Sequence, residues 1–385
     1  MGADKDESAG ADSAKQPPGV AVAQAQTAPA PPPPDAGQTR ISVSRGFAGW
    51  LGRTRCSLAF TSYQTGQLFL VGLLPDGRVS FHQQHYARAM GVHATPQRLY
   101  LGALFQIWRL ENVLAPNERA NGHFDRLFVP RNAQTTGDID VHELSVDRNG
   151  RVIFVNTKFS CLATPSVTHG FKPLWKPPFI SRLAAEDRCH LNGLAMADGA
   201  PAYVTAVSRS DVAGGWRDRR HEGGVLVDVR DDRIVTDQLS MPHSPRAAAD
   251  GSVWLLDSGR GMLVRVDPAS GARADIAFCP GFLRGLAFQG GHAVATVSLP
   301  RDGAFAGLAL QDELERRDGE PWCGVCVIDL RSGDLVEWIR LDGAIRELFD
   351  VAAIPGAACP MALGIGSPDI QSLISFDPEF GPLTA

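Results

Sequence analysis

Three histidines, His142, His190 and His243, each stand at or near the head of a short apolar run. Imidazole titrates near neutrality, ligates metals and moves protons. Brought together, the three could hold a divalent metal, either zinc with an open water position or iron with a fourth ligand. Lyase, hydrolase or oxygenase chemistry would follow from such a centre. Without a metal the same rings are candidate acid/base groups. His93 is the candidate fourth histidine, and Asp140 and Glu143 flank His142 as carboxylates that could orient it. The plainer alternative is that a histidine following proline, as in Pro242-His243, hydrogen-bonds the neighbouring strand and fixes a turn.

A second set of residues is cationic. Arg246, Arg260, Arg284 and Arg301, with Lys158 nearby, offer donors that bind carboxylate, sulfate or phosphate, the guanidiniums bidentately. The ligand they suit is an anionic small molecule or an acidic peptide end; alternatively they pair with Asp138, Asp257 or Glu347 in structural ion pairs. Asn156, Asn192, Asp257, Ser258 and Ser298 would add hydrogen bonds. Ser258, in DSGRG, does not sit in a GxSxG elbow, and no GxGxxG or P-loop pattern occurs, so nucleotide cofactors are not supported.

The elements that must position these groups are strands. Apolar strand, tight polar turn and second strand recur at Leu68–His82, Val225–Thr236, Leu263–Phe278 and Val325–Ile339. Most are preceded by another two-strand unit, beginning at His93, His142, Asn192, His243 and Arg284, with spacings of 49, 50, 51 and 41 residues. That is the period of a four-stranded blade, so the expected fold is all-β, a six-bladed β-propeller over residues 45–380. The stretch from Glu347 looks like an innermost strand without outer ones, and Cys56–His82 like three outer strands without an inner one. Pairing the two would close the ring and protect an open edge. A seventh blade is the alternative, if Met361–Ile365 and Leu373–Phe376 form their own sheet. Leu308–Arg317 is the clearest helix.

In such a blade the start of the first strand and the end of the second lie on one face. His142 with Asn156, His243 with Asp257 and Arg284 with Ser298 should therefore gather at one mouth of the central channel. Insertions at Phe159–Asn192, Ser208–Gly224 and Ser298–Gly324 would overhang the same face, where binding usually resides.

Composition narrows the rest. Residues 1–40 are rich in Ala, Pro, Gln and Gly and read as a disordered tail. The chain of 385 residues carries a formal charge of −5 with scattered Lys and Arg, which speaks against nucleic acid. No run reaches the roughly 18 apolar residues of a membrane span and the opening stretch has no apolar h-region, so a cytoplasmic protein is expected. Seven widely spaced cysteines read as reduced thiols, and the Cys323-x-x-Cys326 pair should face opposite sides of one strand.

Finally, TGDIDVHEL (136–144), VNTKFSCLAT (155–164), KPPFIS (176–181), EDRCHLNGLAM (186–196), GGW (214–216), MPHSPR (241–246) and PGFLRGLAF (280–288) resemble an uncharacterised bacterial family of conserved hypothetical proteins with an NHL-like propeller domain, sometimes fused to tetratricopeptide repeats. The resemblance spans 57–355 and implies a propeller without an assigned activity. His93 departs from it, because the family pattern implies glycine there. A non-catalytic interaction or ligand-binding module, with a protein partner, is the alternative to an enzyme.

Overall fold

The structure, a computed structural model, describes residues 39–300 and 307–377. Its strands form six sheets arranged as a six-bladed propeller. The innermost strands are Val92–Ala94, Val141–Val146, Leu191–Ala197, Pro242–Ala247, Phe282–Gln289 and Val351–Pro355. The first five open the first to fifth blades in chain order. The sixth blade closes the ring: Val351–Pro355 pairs antiparallel with Cys56–Ser62, followed outward by Gln67–Leu73 and Val79–His85. The N- and C-terminal segments of the propeller thus meet in one sheet, as the sequence implied.

The strands are apolar on both faces because each blade is covered on both sides. Leu255 packs toward the third blade and Leu256 toward the fifth. Val325 and Val327 face the closing blade, whereas Cys326 and Ile328 face the fourth. Such period-two alternation gives every blade-to-blade interface its own apolar cluster. Cys323 and Cys326 accordingly belong to different clusters, and all seven cysteines are free and buried. Turns are set by aspartates whose carboxylates accept backbone N–H groups two residues on. Asp147 takes Asn149 N at 2.9 Å, Asp250 takes Ser252 N at 3.0 Å and Asp267 takes Ala269 N at 3.0 Å.

Four features depart from the expectations. Met361–Ile365 and Leu373–Phe376 build no seventh blade; Pro360–Ala362 instead adds in parallel to Arg126–Phe128 on the outside of the first blade. Arg40–Val43 adds a fifth strand to the fifth blade, beside Leu335–Asp342. Helix α1, Phe47–Thr54, buries Phe47, Trp50 and Leu51 against the closing and fifth blades. The stretch 159–192 is not all insertion, since Cys161–Thr164 and Lys172–Trp175 are the outer strands of the second blade. They are short, contain Pro173 and lack an Asp-Gly turn, so they carry little strand signal.

Helix α2, Ala309–Arg316, lies where expected. No helix among the described residues is long and apolar enough to cross a membrane. The tail assigned to residues 1–40 falls almost wholly outside the described residues, as does Arg301.

Candidate functional site

A cavity of about 490 Å³ opens at the face where the innermost strands begin. Met90, His142, His190, His243, Arg284 and Phe349 reach it from the heads of those strands. Loops between strands add Tyr63, Arg88, Asp140, Asp187, Trp216 and Met241. The loops and the strand heads therefore share one face, as the blade topology requires.

The three rings line one cavity and are similarly held. His142 and His190 meet edge to face with centroids 4.9 Å apart, and His190 stacks on Trp216 at 4.2 Å. His142 packs on Phe349 at 5.2 Å and His243 on Phe282 at 5.6 Å. Nδ1 of His142 lies 3.2 Å from the Asp140 carbonyl and Nδ1 of His243 lies 2.8 Å from the Met241 carbonyl. Nδ1 of His190 is 3.0 Å from the Asp187 carboxylate, which also accepts Trp216 Nε1–H at 2.7 Å. A carbonyl or carboxylate only accepts, so each Nδ1 carries a proton, and in the neutral ring Nε2 is then the free acceptor.

Electrostatics follow from burial. Burial pushes His142 down from 6.5 to about 4, with Asp140 opposing and His190 reinforcing the shift. His243 is pushed well below its ordinary value by burial and by Arg284. Both rings are neutral acceptors at physiological pH. Burial alone would raise Asp187, but His190 and Trp216 hold it below the usual carboxylate value.

Arg284 is the unusual group. It is buried, and its guanidinium lies 4.7 Å from the Tyr63 ring centroid, 5.2 Å from Phe282 and 5.5 Å from Phe349. Among the described residues its hydrogen-bond partner is Glu347 Oε2, at 3.4 Å from Nη2, and its Nε–H has none. Five donors thus meet one distant acceptor.

Backbone strain concentrates here as well. Arg88, Asp140, Asp187, His190 and Met241 all have φ between 45° and 58°. The left-handed region costs non-glycine residues roughly 1–2 kcal/mol each, and such strain clusters at functional sites. At Asp140 and Met241 it turns a carbonyl back onto the imidazole two residues later.

The other sequence candidates are placed elsewhere. His93 does not join the ring: Met90 occupies the strand-head position, and His93 lines a cavity of about 330 Å³ at the far end of the channel. Burial and Arg246 lower its pKa to about 4. Arg246 also lies in the channel, bonded to Glu143 and to the Leu286 carbonyl, with Asp350 at 3.9 Å. Arg260 pairs with Asp257 at 3.2 Å and Asp275 at 2.6 Å, outside the cavity lining. Lys158 is directed to the Asp138 carbonyl at 3.2 Å.

Asn156, Asn192, Asp257 and Ser298 hold backbone. Asn156 accepts Phe159 N–H, Asn192 donates to the Pro242 carbonyl of the next blade, and Asp257 accepts Ser240 N–H. Ser298 bridges to Leu348 across the ring closure. Ser258 contacts His243 Nδ1 at 3.0 Å. Tyr63, Phe282 and Phe349, the aromatic cage, escaped the sequence reading because an apolar residue beside a strand end looks like core.

Among the described residues no group of three or more His, Cys, Asp or Glu side chains is arranged to hold a metal ion.

Six closed blades with a polar cavity at one mouth define a six-bladed β-propeller. The chain belongs to the family described as a domain of unknown function (DUF4915), whose model matches residues 45–363. No curated protein matches it. Among solved structures, one of similar fold is the crystal structure of a nidogen/laminin complex, with a TM-score of 0.50 and 13% identity, covering 78% of this chain and 99% of that one. In all, 518 solved chains match, so the shape alone selects no function.

Proposed function

We propose that the mouth cavity binds a small molecule through an anionic group seated on Arg284, with His142, His190 and His243 as acceptor and acid/base groups beside it. The carrying observation is the buried guanidinium of Arg284, whose Nε–H has no partner among the described residues and whose acceptor, Glu347, stands at 3.4 Å. Guanidinium keeps its charge at any physiological pH. An under-satisfied buried cation is costly, and an anion delivered to it is bound by charge-assisted hydrogen bonds. The cavity of about 490 Å³ falls within the size range of small-molecule pockets, and Tyr63, Trp216, Phe282 and Phe349 form part of its wall.

Binding is the core of this reading. A ligand-binding propeller without catalysis satisfies it, and the His190–Asp187 pair adds a positioned proton acceptor should the bound molecule react. One propeller unit over residues 45–380 would carry the site, and the free buried thiols suit a reducing compartment, the cytoplasm.

The test is thermal stabilisation of the full chain by carboxylates, sulfate and phosphate esters at fixed ionic strength. A carboxylate or phosphate should raise Tm in the wild type and leave Arg284→Met unmoved. Equal shifts in both proteins would place the anion elsewhere.

A further inference from the structure

The anion seat accounts for Arg284 but gives the imidazoles no partner, although their geometry is more specific than a polar lining needs. Resting on the reading above, we infer that the ligand is a small carboxylate carrying its own hydroxyl or ammonium donor, a hydroxy-acid or amino-acid type of molecule, with its carboxylate on Arg284 and its donor on Nε2 of His142 and His190.

Guanidinium is donor-only. The imidazoles, with Nδ1 committed to Asp140, Asp187 and Met241, present acceptors. A ligand that satisfies both ends must accept at one and donate at the other. Both ends pack on Phe349, the Arg284 guanidinium 5.5 Å from its centroid and the His142 ring 5.2 Å, so they are at most about 11 Å apart in one cavity, within reach of a molecule of a few carbons with its hydrogen bonds.

Asp187 stands behind His190, and Asp140 stands beside His142 with its carboxylate 3.6 Å from Nδ1 and with Arg88 paired to it at 3.4 Å. With both carboxylates engaged, that end offers a ligand the imidazole acceptors, which suit a hydroxyl or ammonium. At the other end one guanidinium whose Nε–H has no partner among the described residues, already facing Glu347 on Nη2, matches the two oxygens of a monoanionic carboxylate better than a dianionic phosphate. A site built to receive a donor also disfavours the analogue lacking it, whose place leaves buried acceptors unpaired.

The experiment is calorimetric titration of the full chain with matched three- to six-carbon carboxylates, each unsubstituted, 2-hydroxy and 2-amino. In the wild type the substituted member of at least one set should bind about tenfold tighter than its parent, the worth of one good hydrogen bond. His142→Phe and His190→Phe should each shrink that preference, the substituted acid losing about tenfold more affinity than its parent. His142→Gln, which retains an acceptor and guards against a folding defect, should restore part of it. Equal affinity for parent and substituted acids in the wild type overturns the inference, while loss of both in Arg284→Met would still uphold the anion seat. Binding of no carboxylate at all removes the seat as well. Binding that requires added zinc overturns the inference in favour of a metal between ligand and imidazoles.

Discussion

His142 is held neutral by what surrounds it, and that has a consequence for stability. The unfolded chain protonates this ring below about 6.5, whereas the folded protein keeps it neutral to about 4. Acidification between those values therefore favours the unfolded state, by up to about 3 kcal/mol for this residue. His243 acts in the same direction. Asp350 opposes them: burial, with Glu143 beside it, raises its pKa to about 7, so its contribution grows as pH falls from about 7 toward the ordinary carboxylate value. Chemical denaturation at a series of pH values should show a shallower acid-side loss in His142→Phe and a steeper one in Asp350→Asn. Parallel profiles for all three proteins would mean that neither group titrates differently on folding. At this scale the sequence exposed the three mouth histidines and Arg284. It misplaced His93 and Arg246, because a residue three positions further along an innermost strand lies inside the channel rather than at its mouth.

Three innermost strands approach the next blade through a glycine, Gly91 just before Val92–Ala94, Gly193 in Leu191–Ala197 and Gly285 in Phe282–Gln289. A Cβ on Gly285 would lie 2.5 Å from Val351 N and 2.6 Å from Asp350 Cα; one on Gly193 would lie 2.3 Å from Pro245 Cδ. Backbone cannot give way as a flexible side chain does, so Gly285→Ala should destabilise by roughly 1–3 kcal/mol in urea denaturation. An unchanged midpoint would show that the fifth and closing blades can slide apart. These glycines also explain the misread first blade. Gly91, against the Glu143 backbone, marks its true register and puts Met90, not His93, at the mouth. Strand-head residues vary in type from Met to His, Asn, Arg and Phe, so chemistry alone could not align them. Hairpins with Asp-Gly turns were legible because the turn residues impose them. Cys161–Thr164 and Lys172–Trp175 were not, since their pairing is fixed by neighbours rather than by a local signal.

The described blades form a ring closed where Val351–Pro355 pairs with Cys56–Ser62 and strapped on both sides of the closure. Arg40–Val43 lies along the fifth blade and Pro360–Ala362 along the first, flanking the composite blade. Deleting residues 39–43 should lower stability by a few kcal/mol with cooperative unfolding retained, because the strap is outside the ring. Ending the chain at Asp342 removes the innermost strand of the closing blade and should abolish the single cooperative transition. Cooperative unfolding of that truncated chain would refute closure as the source of rigidity. Rigidity matters because the cavity draws on several blades at once and holds an under-satisfied arginine against aromatic walls. The most direct measurement is calorimetric titration of the full chain with its best-binding anion, in wild type and in Arg284→Met. The anion seat predicts one site per chain and at least a hundredfold loss of affinity in the variant, about 2.7 kcal/mol. Equal affinity in the two proteins would contradict it.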